Sequence, residues 1–167
     1  MKKLLYVLAA ALCLVACEKN TENGSGSTVK GDYVDLGLKS GTKWKTQNEQ
    51  STYDYYDLFD YETAISEFGN NLPTEKQWKE LISYCHWEWT GNGYKITGSN
   101  GKSISLPATS YRDCDGNVSS NEGSDGCYWS SKQDDSDWAW NLFFDSDEVY
   151  MDSSRRCVGL SVRLVSK

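Results

Sequence analysis

Four cysteines, one histidine and a long series of carboxylates are the side chains past residue 31 that could do chemistry. Cys85, Cys114, Cys127 and Cys157 could pair, hold zinc or act as nucleophiles. A zinc site lacks its ligands, because there is no Cys-x-x-Cys pair and His86, beside Cys85, is the only imidazole. No serine or cysteine motif makes His86 a catalytic base. Disulfides remain, and four cysteines permit three pairings. The expectation is Cys114 with Cys127, across a loop rich in Gly, Ser and Asn, and Cys85 with Cys157.

The carboxylates are read as turns. Asp113-Cys114-Asp115-Gly116 has the look of a calcium loop, but the further acidic ligands and the bidentate Glu at EF-hand spacing are absent. Asp134, Asp135, Asp137, Asp145, Asp147, Glu148 and Asp152 fall at the ends of expected strands and would bind a hard cation only if their loops met. A pair for glycoside hydrolysis could be drawn from the same set, but so many acids supply such a pair by chance. No metal, cofactor or catalytic residue is therefore expected. Trp87 with Trp89, and Trp138 with Trp140, each put two indoles on one face of a strand. Exposed, such rings stack on sugars; buried, they are core, and at least one pair is assigned to the core. The candidate ligand-binding set is Trp138, Trp140, Asn141 and Asp145. Arg155, Arg156 and Arg163 are read as partners of neighbouring carboxylates.

The elements that must position these residues follow from periodicity and punctuation. Tyr33-Val34-Asp35-Leu36, a Ser40-Gly41 turn and Trp44 read as a hairpin. Tyr61, Ala64, Ile65 and Phe68 recur at helical spacing between an Asp60 cap and a Gly69 stop. Thr74 and Gln77 form a capping box before a second helix carrying Trp78, Leu81, Ile82 and Cys85 on one face. From Trp87 the period turns to alternation. Residues 87–90, 94–97 and 104–106 make a meander around Gly-Asn-Gly and Asn-Gly punctuation. Strands are expected at 127–131, 138–144, 148–151 and 159–165. The fold class is α+β, two short helices followed by many short antiparallel strands.

The beginning of the chain has a different character. Lys2 and Lys3 precede an uncharged apolar run, Leu4 to Leu14, too short for a permanent membrane helix, which needs about 20 residues. Leu14-Val15-Ala16-Cys17 matches the bacterial lipobox. Residues 1–17 are thus read as a lipoprotein signal with Cys17 as the lipidated residue, anchored through several acyl chains. Residues 18–31 are a flexible polar stalk, and 32–167 the domain. Without Lys2 and Lys3 the chain holds 15 basic against 24 acidic residues, about −9 in net charge. That balance argues against nucleic acid as a partner, leaving the membrane, through the lipid, and an extracellular ligand.

Several motifs in order resemble one family. Residues 33–44 (YVDLGLKSGTKW), Leu72-Pro73-Thr74 with Trp78, Tyr128-Trp129-Ser130-Ser131 and the ending Gly159-Leu160-Ser161-Val162-Arg163 are similar to the Fibrobacter succinogenes major paralogous domain (FISUMP), found in surface lipoproteins of Bacteroidetes. Residues 49–71 are shorter than is usual there, which argues against a functional loop in that segment. The family in turn resembles the formylglycine-generating enzyme fold, a variant of the C-type lectin fold. That likeness implies a disulfide-stabilised C-type-lectin-like domain and not its chemistry. The oxidases use two closely spaced copper-binding cysteines, whereas Cys157 has no neighbouring thiol in sequence. The calcium lectins use Trp-Asn-Asp, where this chain has Trp140-Asn141-Leu142. The resemblance implies display on the outer membrane, facing outward; with no catalytic constellation among the residues, the expectation is a non-enzymatic domain that binds an extracellular glycan or protein. The alternatives are a structural component of a surface assembly and, more remotely, an oxidase-like enzyme with a cleft lined by Cys157 and another thiol.

Overall fold

A computed structural model describes residues 32–167; the expected signal segment 1–17 with Cys17 and the expected stalk 18–31 lie outside the described residues. Strands β1 (Tyr33–Asp35) and β2 (Lys43–Lys45) pair antiparallel with Val34 opposite Trp44. The turn between them closes where the Gly41 N–H donates to the Leu38 carbonyl at 3.0 Å, with Gly41 at φ 72°. A left-handed residue there costs least as glycine.

Helix α1 (Tyr61–Phe68) begins where Asp60 accepts from the Thr63 N–H and ends at Gly69. A 3-10 turn (Gly69–Asn71) leads to α2 (Glu75–Tyr84), whose first turn is closed by the reciprocal Thr74 and Gln77 bonds expected from the sequence. A ten-residue helix is marginal alone, so α2 depends on that cap and on burying Trp78 and Leu81. Thr74→Ala is expected to cost about 1 kcal/mol, read as a lower urea midpoint at unchanged slope.

Strands β3 (His86–Trp89), β4 (Gly93–Thr97) and β5 (Ser103–Pro107) form the meander. Strands β6 (Gly126–Gln133), β7 (Trp138–Phe144) and β8 (Val149–Arg155) form a second antiparallel sheet in the order β6-β7-β8. Side chains alternate across a strand, and both faces of this sheet are covered. Tyr128, Leu142 and Phe144 join Trp44, Trp78 and Ile96 in one apolar cluster. Trp129 and Ala139 join Phe59, Tyr61, Ala64 and Val162 in the other. Trp87 and Trp89 lie edge-on to Tyr94, at 5.3 and 5.1 Å between ring centroids, and pack against the first cluster, so this pair is core.

Three expectations are corrected. Residues 159–165 do not form one strand. The chain enters the interior there, every residue from Gly159 to Val165 is buried, and each pairs with a different neighbour. Gly159 bridges Arg112, Leu160 bridges Phe59, Ser161 bridges Tyr128, and Val165 opens β9 (Val165–Ser166) against Trp44. Arg163 is 1 % exposed and meets no carboxylate. Its guanidinium donates to the carbonyls of Lys45, Thr46 and Ser105 at 2.8, 3.0 and 3.0 Å and to the Asn48 side-chain oxygen. Asn48 also donates to the Tyr128 hydroxyl, and burial pushes that phenol up to about 12.

The cysteine pairing is the third correction. Cys114 bonds to Cys157, and Cys85 and Cys127 are free thiols. Backbone register decides it: Arg112 and Gly159 exchange N–H···O bonds of 2.9 and 2.8 Å as an antiparallel pair, which sets residue 114 opposite 157. Cys127 is held in β6 with its side chain against the second apolar cluster, away from the loop. Burial, then Asp125 and Asp152, push its thiol up to about 12. Native Cys127 should resist iodoacetamide at pH 8 and react on unfolding. A thiol whose pKa is higher folded than unfolded favours folding only while protonated. This contribution is full below about pH 9 and is lost as the pH climbs to about 12.

Candidate functional site

The Cys114–Cys157 bridge ties together the loops at one end of the β6-β7-β8 sheet. Past Cys157 in the reverse direction, the Arg156 N–H donates to the Asp137 carbonyl and its guanidinium to the Ser136 carbonyl, fixing the hairpin between β6 and β7. Arg156 also pairs with Glu62 at the start of α1 and lies 5.2 Å from the Tyr61 ring centre. On the other side of the bridge, the Arg112 Nε donates to Asp54 at 3.0 Å and secures the loop over residues 51–57.

That loop is folded by its own polar side chains. The Ser51 hydroxyl accepts from the Tyr53 and Asp54 N–H groups, Asp54 from Tyr56, and Asp57 from Ser51. Asp57 sits at φ 56°, a conformation non-glycine residues avoid and which aspartate tolerates better than most. The result is a held loop with its aromatic rings outside: Tyr53 is 92 % and Tyr55 93 % exposed, and Tyr56 is half exposed with its ring edge-on to Tyr55. Tyr111, next to Arg112, is partly exposed too. Between the hairpin, the start of α1 and the disulfide lies a cleft of about 500 Å³ lined by Asp60, Glu62, Asp137, Arg155 and Arg156. Hydrogen bonds and the disulfide thus link the loop that carries the exposed tyrosines, the cleft and the β6-β7 hairpin.

The candidate set read from the sequence does not come together. Trp138 begins β7 at the hairpin, 40 % exposed, opposite Arg155. Trp140 is on the same face, but its Nε1 donates to Asp134 and its ring is approached by the Lys132 and Lys79 ammonium groups at 5.0 and 5.9 Å. Those lysines also bond to Glu75, holding its carboxyl below the usual range. Asn141 is buried inside the sheet, opposite Trp129 and Asp152, and its Nδ2 reaches the Leu142 carbonyl at 3.4 Å. Asp145 is at the far end of β7, roughly 20 Å from Trp138 at strand spacing, where it accepts from Asp147 and Glu148 N–H groups. The cause is the pleat and the strand length: Asn141 points to the opposite face from the tryptophans, and Asp145 lies a whole strand away.

Asp135 and Asp113 are engaged in the same local way. Asp135 accepts from Asp137 and Trp138 N–H groups, and Asp113 accepts from Asp115 and Asn117, which together with the Asn117 side chain hold its pKa down. Among the described residues, no three His, Cys, Asp or Glu side chains gather to hold a metal ion. Cys157, which an oxidase-like cleft would need as a thiol, is bonded to Cys114.

The sequence argues against a functional loop in residues 49–71 from their length alone, whereas the structure has a self-folded loop there with exposed rings; Thr-Tyr-Asp-Tyr-Tyr-Asp has no period to show which way those rings face. The one signal was the density of Asx-forming and Ser residues around the tyrosines, which favours a self-folded turn over a strand.

A family model described as a domain of unknown function (DUF8237) is similar to residues 89–165. The match begins at the end of β3 and takes in the β6-β7-β8 sheet, the disulfide and the buried segment 159–165, leaving out both helices and the tyrosine loop. No curated protein and no solved structure matches the chain.

Proposed function

We propose that this is a lipid-anchored, non-enzymatic binding domain of C-type-lectin-like fold, presented on the outer membrane by a stalk, whose disulfide-stapled loop end recognises an extracellular protein or glycan. The observation that carries the reading is the outward display of Tyr53 and Tyr55 on a loop folded by Ser51, Asp54 and Asp57 and locked by Arg112. A single exposed ring is ordinary, but the Tyr55 and Tyr56 rings adjoin on the loop that also exposes Tyr53, and clustered exposed aromatic surface marks interaction sites. Tyrosine, set here among Ser, Thr and Asp, gives a rigid ring with an amphipathic tip at low entropic cost, which is the use antibody combining loops make of it. Lipid on Cys17 and the polar stalk would hold this surface away from the membrane.

The test is binding of the full-length protein in detergent to glycan and extracellular-protein arrays, with calcium and with chelator. Tyr53→Ala with Tyr55→Ala should abolish specific binding while leaving the unfolding free energy from urea titration within about 0.5 kcal/mol of wild type, since exposed rings contribute little to folding. Binding that survives in that variant places the ligand elsewhere. Absence of any ligand, with self-association rising over protein concentration in sedimentation, would favour a structural component of a surface assembly.

A further inference from the structure

A second surface, independent of the tyrosine loop, runs along α2. A groove of about 1160 Å³ lies between that helix, the β1-β2 turn, the 3-10 turn and β9. It exceeds the roughly 300–1,000 Å³ of sites for small molecules, which suits an extended ligand. Of the nine lysines in residues 32–167, four line it: Lys39, Lys76, Lys79 and Lys167. Lys79 is engaged by Glu75, whereas Lys39 and Lys76 have no carboxylate within ion-pair distance among the described residues. Glu80, the acid in the lining, accepts from the Ser40 N–H at 3.0 Å. The groove is therefore cationic on a chain of net charge −7. Concentrating positive charge in a concave region, against the sign of the whole, attracts anions locally while the rest of the surface repels them.

The remaining lining selects among anions. Tyr84, 57 % exposed, presents a ring to the groove with the Lys39 ammonium 5.2 Å from its centre, so stacking area and positive charge adjoin. Asn70 and Ser83 also face the groove with no side-chain partner among the described residues, free to meet hydroxyl groups. An apolar ring, neutral hydrogen-bonding groups and spaced ammonium groups match the faces, hydroxyls and charges of a chain of acidic sugars. We infer that the α2 groove binds an acidic oligosaccharide, with Lys39 and Lys76 on its carboxylates or sulfates and Tyr84 against a sugar ring.

Calorimetry on the full-length protein in detergent tests this, with hexagalacturonate and a heparin-derived hexasaccharide as acidic probes, maltohexaose as the neutral one and polyglutamate as an acidic peptide. The expected result is binding of an acidic sugar that weakens with added salt, and an affinity about tenfold lower in Lys39→Ala/Lys76→Ala. The control Lys95→Ala/Lys102→Ala removes the same charge from an exposed meander and should leave affinity unchanged. Binding of maltohexaose or polyglutamate as tight as that of the acidic sugars, equal losses in the two lysine pairs, or no binding of either acidic sugar would each overturn the inference. Tyr53→Ala/Tyr55→Ala should bind these probes normally, which separates this groove from the loop surface.

Discussion

Replacing Arg163 with methionine should destabilise the protein by about 3–5 kcal/mol, a large part of the roughly 5–15 kcal/mol that holds a domain together. Methionine keeps much of the alkyl volume, so the loss reports on the guanidinium. Removing it strands the carbonyls of Lys45, Thr46 and Ser105 and the Asn48 oxygen inside the molecule, where an unmade hydrogen bond costs more than a made one contributes. Burial lowers the pKa of Arg163 from its ordinary value, so the charge is held at a desolvation cost that only this set of acceptors offsets. Arg163→Lys should fall between the two, because an ammonium has three donors and no planar fork. Urea unfolding of the three proteins side by side is the measurement, and a methionine variant within about 1 kcal/mol of wild type would show that the guanidinium is replaceable by packing.

The second large effect is expected at the disulfide. Cys114 and Cys157 close a loop with a sequence separation of 43, for which the chain-entropy relation gives about 4 kcal/mol. The double variant Cys114→Ser/Cys157→Ser should lose stability by that order, and reductant should lower the wild-type midpoint to the same place. Cys85→Ser should leave the reductant response intact, whereas in the pairing expected from sequence it would remove the share of that response due to a Cys85–Cys157 link. The Arg112–Gly159 bridge makes one part of the effect local: with the sulfur link gone, the hairpin at Ser136–Asp137 and the loop held by Arg112 are joined only by hydrogen bonds. Amide exchange should rise at residues 113–118 and 156–158 first.

What the sequence made legible was local. Asp60, Gly69 and the Thr74–Gln77 box mark helix ends through bonds between residues three or four apart, and both helices stand where those signals put them. The hairpins followed from alternation and Gly punctuation for the same reason. The disulfide was not legible, because its pairing is set by the register of Arg112 against Gly159, residues 47 positions apart whose contact leaves no mark in composition. Trp138 and Asn141 were grouped by nearness in sequence, though the pleat sends them to opposite faces and buries the second. Arg163 looked like a surface cation because arginine usually is one. Only the convergence of three carbonyl groups explains it inside.

The buried segment 159–165 also sets the tempo of folding. Its contacts join residues far apart along the chain: Leu160 to Phe59, Arg163 to Lys45, Val165 to Trp44. Closing loops of that length precedes any return from the contacts they allow, which places the protein among topologies that fold in roughly milliseconds to seconds rather than microseconds. The helices can flicker into being early, but neither apolar cluster is complete until this segment threads between them, so a nascent chain passes through a long interval with its tryptophans uncovered and prone to self-association.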